Sequence, residues 1–344
     1  MKFEEQLQYK QSVLIVILLM GMVLALVGCG AAAPMPVAAP PTQTSVQLSW
    51  VHTIEFAGFY EAVDRGYYAA ENVEMRIDNG GFDDKGEFIS PIQRVVEGKA
   101  DFGIIGADSV LAARAKGQSI VAVAAIYQRN PIILVSLAKN NITAPQDLVG
   151  KRIGVAPGDE LIYDIILTSQ GISHEDVIEI PIDTSLEPLI NGEVDARTGF
   201  VTTEPFMLRH MGHEVNVMLP SDYGIDLFYS NVIFTTEDMI AKRPELVEKV
   251  LRATLQGYED AIKDSEHAGR ASLARDPSLV FENEVESMKA SIPLLKPDDN
   301  SLGTMDPEIW EATHQILFDH DLLTEPLDVK KAYTLEFLEK IYSK

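Results

Sequence analysis

Between Val46 and Thr236 the apolar and polar positions alternate in two rhythms. The runs "VQLSWV", "VEMRID", "ADFGIIG" and "IVAVAAIY" have the length and residue types of strands. The segments between them, such as "SPIQRVVEGK" and "DSVLAARAKG", repeat apolar residues at helical spacing. Ser90 before Pro91 predicts a helix start, because a serine oxygen satisfies a free backbone N–H and proline suits the first turn. Strands alternating with helices predict parallel sheet and the α/β class. The rhythm restarts at "PIILVSLA" and passes through "RIGVAPGDE", "LIYDIILTSQG" and "VIEIPI". It returns in the strand "VIFTT" to the amphipathic helix "RPELVEKVLRATLQGYEDAIK" and a helical, acidic C-terminal region. The segment "EGKADFGIIG" (97–106) is echoed by "NGEVDARTGF" (191–200). Two similar lobes are therefore expected, lobe 1 from 46–131 plus 235–344 and lobe 2 from 132–234, with the ligand cleft between them.

The start of the chain follows another pattern. Val13–Val27 is an unbroken apolar-and-glycine run, shorter than the roughly 18 residues that a membrane-spanning helix needs. It suits the core of a signal peptide over residues 1–28. "LVGC" ends it at Cys29, the single cysteine of the 344-residue chain. This resembles a bacterial lipobox, whose cysteine is diacylated and becomes the mature N-terminus. Residues 29–45, Ala/Pro-rich and without a core-forming pattern, read as a semi-extended tether. The expected location is the extracytoplasmic face of the cell membrane, held there by the lipid alone.

Charge narrows the partners. The formal net charge is −24, and residues 1–28 carry two lysines and two glutamates, so their removal leaves it unchanged. That disfavours nucleic acid, anionic lipid surfaces and multiply charged anionic ligands. One cysteine allows no disulfide within the chain, so each lobe needs a sufficient apolar core. The histidines are scattered, and His210 and His213 in "RHMGH" lack the ligand spacing of a metal centre. There is no G-x-S-x-G and no dinucleotide fingerprint. No catalytic residue, metal or cofactor is expected.

What remains is a set of groups at strand ends, where ligands of open α/β sheets sit. Trp50 and His52 close the first strand, with Phe56 and Tyr60 behind them in the aromatic stretch "SWVHTIEFAGFYEAVDRGYY". Asn79 and Phe82 follow the second strand, Asp108 and Ser109 the third, and Tyr127 closes the fourth. The second lobe offers Asp159 and Glu160 at a helix start, then Phe200, Glu204 and Tyr229. Flat rings can sandwich a heterocycle, and the acids and amides can accept hydrogen bonds from ring N–H or hydroxyl groups. Tyr67, Tyr68 and Phe102 are assigned to the core.

The order Trp50, Gly58, Phe59, Tyr60, Ala62, Gly66, Tyr67, Tyr68, followed by "DFGIIGADS", "DLVGKRIGV", "GFVTTEPFMLRHMG" and "VIFTTEDMIAKRPELVEKVLRAT", resembles the family of thiamine-pyrimidine-precursor and alkanesulfonate binding proteins. The resemblance covers about residues 46–265. It implies the type II periplasmic-binding-protein fold: two α/β lobes, each a mostly parallel sheet flanked by helices, closing on a ligand delivered to an ABC permease and ATPase. The fungal branch of that family is an enzyme with a lysine, a histidine and a cysteine-rich motif. Those positions fall at Ile105, Ser109 and residues 228–231, where none of these groups is present, so the resemblance implies a binding protein. It is nearest to the family's riboflavin-binding lipoproteins. The resemblance thus implies riboflavin as ligand and a monomer as carrier, with a thiamine pyrimidine precursor, or a tethered sensing role, as the alternatives.

Overall fold

A computed structural model describes residues 39–223, 229–296, 301–320, 322–323 and 327–343. The signal-peptide and lipidation readings at residues 1–28 and Cys29, and most of the tether, lie outside them. Pro41–Lys344 form one compact unit.

Two five-stranded sheets organise it. The first contains β1 (Thr42–Gln47), β2 (Val73–Asp78), β3 (Phe102–Ile105), β4 (Ile120–Tyr127) and β10 (Ser230–Thr236), in the order β2-β1-β3-β10-β4. The second contains β5 (Ile132–Leu137), β6 (Arg152–Val155), β7 (Ile178–Pro181), β8 (Ala196–Phe200) and β9 (Val215–Met218), in the order β7-β6-β8-β5-β9. Within each sheet the first two pairings are parallel and the last two antiparallel. Four strands therefore run one way, and β10 or β5 runs against them. The orders are the same once the odd strand is matched, so the chain builds one plan twice. This is the two-lobed α/β fold that the resemblance implies, each sheet parallel but for its one reversed strand.

The chain crosses between sheets after β4 and again before β10. β10 lies wholly in the first sheet, so the expected boundary at 234/235 falls inside a strand, and the return crossing precedes Ser230. The apolar run "VIFTT" hid this because the polar Ser230 and Asn231 that begin the strand read as loop. At the other end β1 starts at Thr42, inside the expected tether. Its polar residues pair with Val73 onward, and backbone pairing needs no apolar side chain.

The sequence echo has a structural basis. Gly98 and Gly192 occupy φ of +70° and +75°, the left-handed turn that glycine adopts without a Cβ penalty. The carboxylates that follow each hold the neighbouring parallel strand, β1 in lobe 1 and β6 in lobe 2. Asp101 Oδ2 accepts the Ser45 N–H at 3.1 Å and the Thr44 hydroxyl at 2.9 Å. Asp195 Oδ2 accepts the Arg152 N–H at 2.9 Å.

The helices Ala57–Asp64 and Pro244–Lys263 cross over lobe 1 at two glycines. A Cβ on Gly58 would run into the Tyr258 ring, and one on Gly257 into the Gly58 carbonyl. The main core spans β1, β3, β4 and β10 with these helices, and a smaller one lies under β5 in lobe 2.

Candidate functional site

The parallel strands β1, β3, β6 and β8 all end at the gap between the sheets, and the crossings pass through the same place. A cavity opens there, with a volume of about 100 Å³. Lobe 1 supplies Ser49, Trp50, Thr53, Glu55 and Phe88, with Ile105 at the end of β3 and Gly106, Asp108 and Ser109 beyond it. Lobe 2 supplies Ala156–Asp159 and Ile162 beyond β6, then Arg197, Gly199, Phe200, Thr203 and Glu204 at β8. Where the crossings enter the sheets, Asn130 and Ile132 are added at the start of β5, and Ser230 and Asn231 at the start of β10. Register explains the pairing of these contributions: Ile132 lies opposite Phe200, and Val232 opposite Ile105.

Of the residues proposed from sequence, Trp50, Asp108, Ser109, Asp159, Phe200 and Glu204 meet at this cavity. The others stand elsewhere. Phe82 is behind Trp50, edge-on with centroids 5.9 Å apart, and a second edge-on contact joins it to Phe88, which takes the cavity position. Phe82 itself lines a separate hollow with Val51 and Ile180–Thr184, where Asp183 also lies. His52 is held aside: its Nδ1 is 2.9 Å from the Tyr60 hydroxyl, and its N–H donates to Asn79 Oδ1 at 2.9 Å, which accounts for Asn79 too. Burial and the nearby Arg275 guanidinium lower the His52 pKa. Phe56 and Tyr60 are fully buried in lobe 1, with the Arg275 guanidinium over the Tyr60 ring. Tyr127 is buried, its hydroxyl 2.9 Å from Ser291 Oγ. Glu160 turns outward and accepts the Gly158 N–H at 2.7 Å. The Tyr229 hydroxyl accepts the Asp306 N–H, and its ring packs on Trp310. These aromatics follow a helix or strand period whose buried face is the lobe core, so their rings go inward rather than to the cleft. Tyr68 and Phe102 are core residues as expected, while Tyr67 is partly buried with its hydroxyl donated to Asp260.

Sequence reasoning missed Thr53, Glu55, Phe88, Asn130, Arg197, Thr203, Ser230 and Asn231. For Glu55 a signal was present: an acid inside the run "TIEFAGFY", which is otherwise too apolar to face water. For Asn231 there was none, because its φ of +52° is visible only in the fold.

The polar groups are unevenly distributed in charge. Glu55, Asp108, Asp159 and Glu204 face the cavity, against the single cation Arg197. Two of the acids need a neighbouring glycine, since a Cβ on Gly106 would strike Asp108 Oδ1 and one on Gly199 would strike Glu204. Burial pushes Glu55 up to about 8; the adjacent Asn231 amide opposes this, while Glu204 and Asp159 add to it. Burial likewise pushes Asp159 up to about 8 and Asp108 up to about 6. Arg197 is 2% exposed, and its guanidinium is spent on backbone carbonyls: Nε to Thr198 at 3.0 Å, Nη1 to Ser185 at 2.6 Å, Nη2 to Asp183 at 3.4 Å. Glu204 Oε1 lies 3.9 Å from Nη2, and its Oε2 accepts the Phe200 N–H at 2.6 Å. Two groups at the cavity lack partners of normal geometry, the Asn231 Nδ2 and the Thr53 hydroxyl, although both residues are over nine-tenths buried. Among the described residues no cluster of histidine, cysteine and carboxylate could hold a metal.

Two matched lobes around a cleft, with ring walls and a polar floor, define a solute-binding protein of the periplasmic-binding type. The chain belongs to the NMT1/THI5-like family, whose model matches residues 53–268. It is 31% identical to the riboflavin-binding protein RibY of Chloroflexus aurantiacus, over 89% of this chain and 89% of that protein. It is 26% identical to the formylaminopyrimidine-binding protein of Halalkalibacterium halodurans, over 84% of this chain and 88% of that one. The alkanesulfonate-binding protein SsuA of Xanthomonas axonopodis pv. citri, solved bound to MOPS, shares the fold, with a TM-score of 0.68 over 87% of this chain and 100% of that chain at 14% identity.

Proposed function

We propose that this protein binds riboflavin between its lobes and delivers it to an ABC permease and ATPase, as a monomer tethered through Cys29 to the extracytoplasmic face of the cell membrane. The observation that carries the ligand is the cavity's make-up. Trp50 and Phe88 on one lobe and Phe200 on the other offer apolar walls to a planar ring system, and the floor offers acids and unfilled donors. Offset or edge-on ring contacts add roughly 0.5–1.5 kcal/mol each beyond buried area. The similarity to a riboflavin-binding relative supports the same reading. A sulfonate or phosphate would meet four carboxyls and an arginine already committed to carbonyl oxygens, so the unphosphorylated vitamin is favoured over its phosphate.

The anchor and the importer partners rest on the sequence features of residues 1–45 and on the family. Ile105 and Ser109 bring no amine or imidazole to the cavity, which supports binding rather than catalysis. The second ligand reading, a pyrimidine precursor, is favoured by the similarity to the formylaminopyrimidine-binding relative. Purified protein lacking residues 1–28 decides between the two. Quenching of flavin fluorescence at stoichiometric protein, with flavin mononucleotide at least about tenfold weaker (a difference of about 1.4 kcal/mol), supports riboflavin. Saturable binding of formylaminopyrimidine with no flavin quenching would transfer the assignment to the pyrimidine.

A further inference from the structure

Glu55 is an acid that the fold has gone to some length to bury. It sits in the single 3-10 turn Ile54–Phe56, is 6% exposed, and borders the cavity. Its own carbonyl accepts the Tyr258 hydroxyl at 3.0 Å, which fixes the turn from the far side. The neighbouring Ile54 N–H is taken by Glu284 Oε2 at 2.6 Å. The Thr53 hydroxyl, which has no partner, and the Asn231 Nδ2, which has none of normal geometry, belong to the same corner: the Asn231 amide interacts with the Glu55 carboxyl, and Thr53 is two residues before it. A buried donor left unfilled costs roughly 1–3 kcal/mol, so a ligand that fills both gains what the empty protein forgoes.

We infer, resting on the riboflavin reading above, that the Glu55 carboxyl with the Asn231 amide and the Thr53 hydroxyl recognises the imide edge of the ligand, the run C=O, N–H, C=O. A neutral carboxylic acid presents one O–H donor and one carbonyl acceptor side by side. It pairs in a two-bond ring with one half of an imide, accepting from the N–H and donating to an adjacent C=O. The second imide carbonyl then requires a donor, and the Asn231 amide and Thr53 hydroxyl are the donors available. An ionised carboxylate has no proton for this ring and would repel both carbonyl oxygens.

The protonation that this pairing needs is set by the surroundings. Burial holds Glu55 up to about 8. Glu204 and Asp159 face it from lobe 2 and favour the neutral form, and the Asn231 amide of β10 opposes it. The phenols of Tyr60, Tyr127 and Tyr258 lie within its field, and Glu284 of the helix Phe281–Leu295 holds the Ile54 N–H of the same turn. Arg275 of the helix Ser265–Arg275 is engaged over Tyr60 and with Asp64. Glu61, on the helix that follows the turn, is tied to Arg65 and His267.

The test is titration of the protein lacking residues 1–28 with riboflavin and 3-methylriboflavin, from about pH 6 to about pH 9, in wild type, Glu55→Gln, Glu55→Ala and Asn231→Ala. Blocking the imide N–H should weaken binding about tenfold or more, as should Glu55→Ala and Asn231→Ala. Wild-type affinity should fall as pH rises through about 8. Glutamine carries the same donor and acceptor without a titrating proton, so Glu55→Gln should keep affinity within about threefold at neutral pH and lose the pH dependence. The methylated probe needs no mutation, so a poorly folded Glu55→Ala does not cost the experiment its answer. Equal affinity for the two flavins, or a Glu55→Gln protein that keeps the wild-type fall with pH, overturns the edge assignment and leaves riboflavin as ligand. Absence of flavin binding by the wild type overturns both.

Discussion

Trp50 and Tyr60 come from one aromatic stretch and have opposite roles. Trp50 is partly buried at the cavity wall, braced by Phe82, whereas Tyr60 is at zero exposure inside lobe 1. Trp50→Ala should weaken riboflavin binding by more than about 1 kcal/mol while the melting temperature stays near that of wild type, as expected for an aromatic anchor. Tyr60→Ala should instead lower stability by about 3–5 kcal/mol, the cost of emptying a buried aromatic site. Urea melts beside binding isotherms separate the two effects, and a Trp50→Ala protein that binds normally would remove that ring from the site. Glu55 carries a second, pH-linked expectation. Its folded pKa of about 8 lies above the unfolded carboxylate value, so the folded state holds the extra proton between those limits. Stability from this group is full below the unfolded pKa and declines as pH rises toward about 8. Relative to wild type, ligand-free Glu55→Gln should therefore gain melting temperature progressively from about pH 5 to about pH 8. A parallel pair of melting curves across that range would contradict it.

At the level of elements, the strands and their alternation with helices were legible because burial imposes a period on the sequence. Ser90 does accept the Gln93 N–H as a helix cap, with Pro91 in the first turn. The echo of 97–106 in 191–200 was legible as well, and its two aspartates are the pins that hold the neighbouring strands β1 and β6 in place. What the sequence hid were the edges and the insides of the site. β1 and β10 begin with polar residues that pair through their backbones, so no apolar signal marks their starts. Tyr127 and Tyr229 have the composition of a ligand wall but find hydroxyl or backbone partners within lobe 1. Arg197 went unremarked in the sequence, and only the fold shows it at the cavity with its guanidinium held by three carbonyl oxygens. The crossing of the helices Ala57–Asp64 and Pro244–Lys263 makes its own prediction. With no room for a methyl group at Gly257, Gly257→Ala should cost about 1–3 kcal/mol of stability by overpacking, measured by urea denaturation. An unchanged midpoint would mean that the two helices can separate freely.

At the scale of the whole molecule, the walls belong to different lobes and the links between lobes border the same cavity. Asn130 and Ile132 where one crossing ends, and Ser230 and Asn231 where the other does, border that cavity. Riboflavin should therefore lower the radius of gyration measured by X-ray scattering and raise the melting temperature with ligand concentration, as mass action requires. A melting temperature that ignores saturating riboflavin would argue against a site between the lobes. The anchor is tested separately: Cys29→Ser should move the protein from the membrane fraction to the soluble one with no change in affinity.

The duplicated plan is broken at one pair of matched positions. In the echo, Gly103 stands where lobe 2 has Arg197. In lobe 1 the room above that glycine is taken by the Phe234 ring, while in lobe 2 a guanidinium is wired into the backbone. Arg197 borders the cavity and Gly103 does not, so the repeated plan puts a cation beside that space from lobe 2 without a counterpart at the matched position of lobe 1.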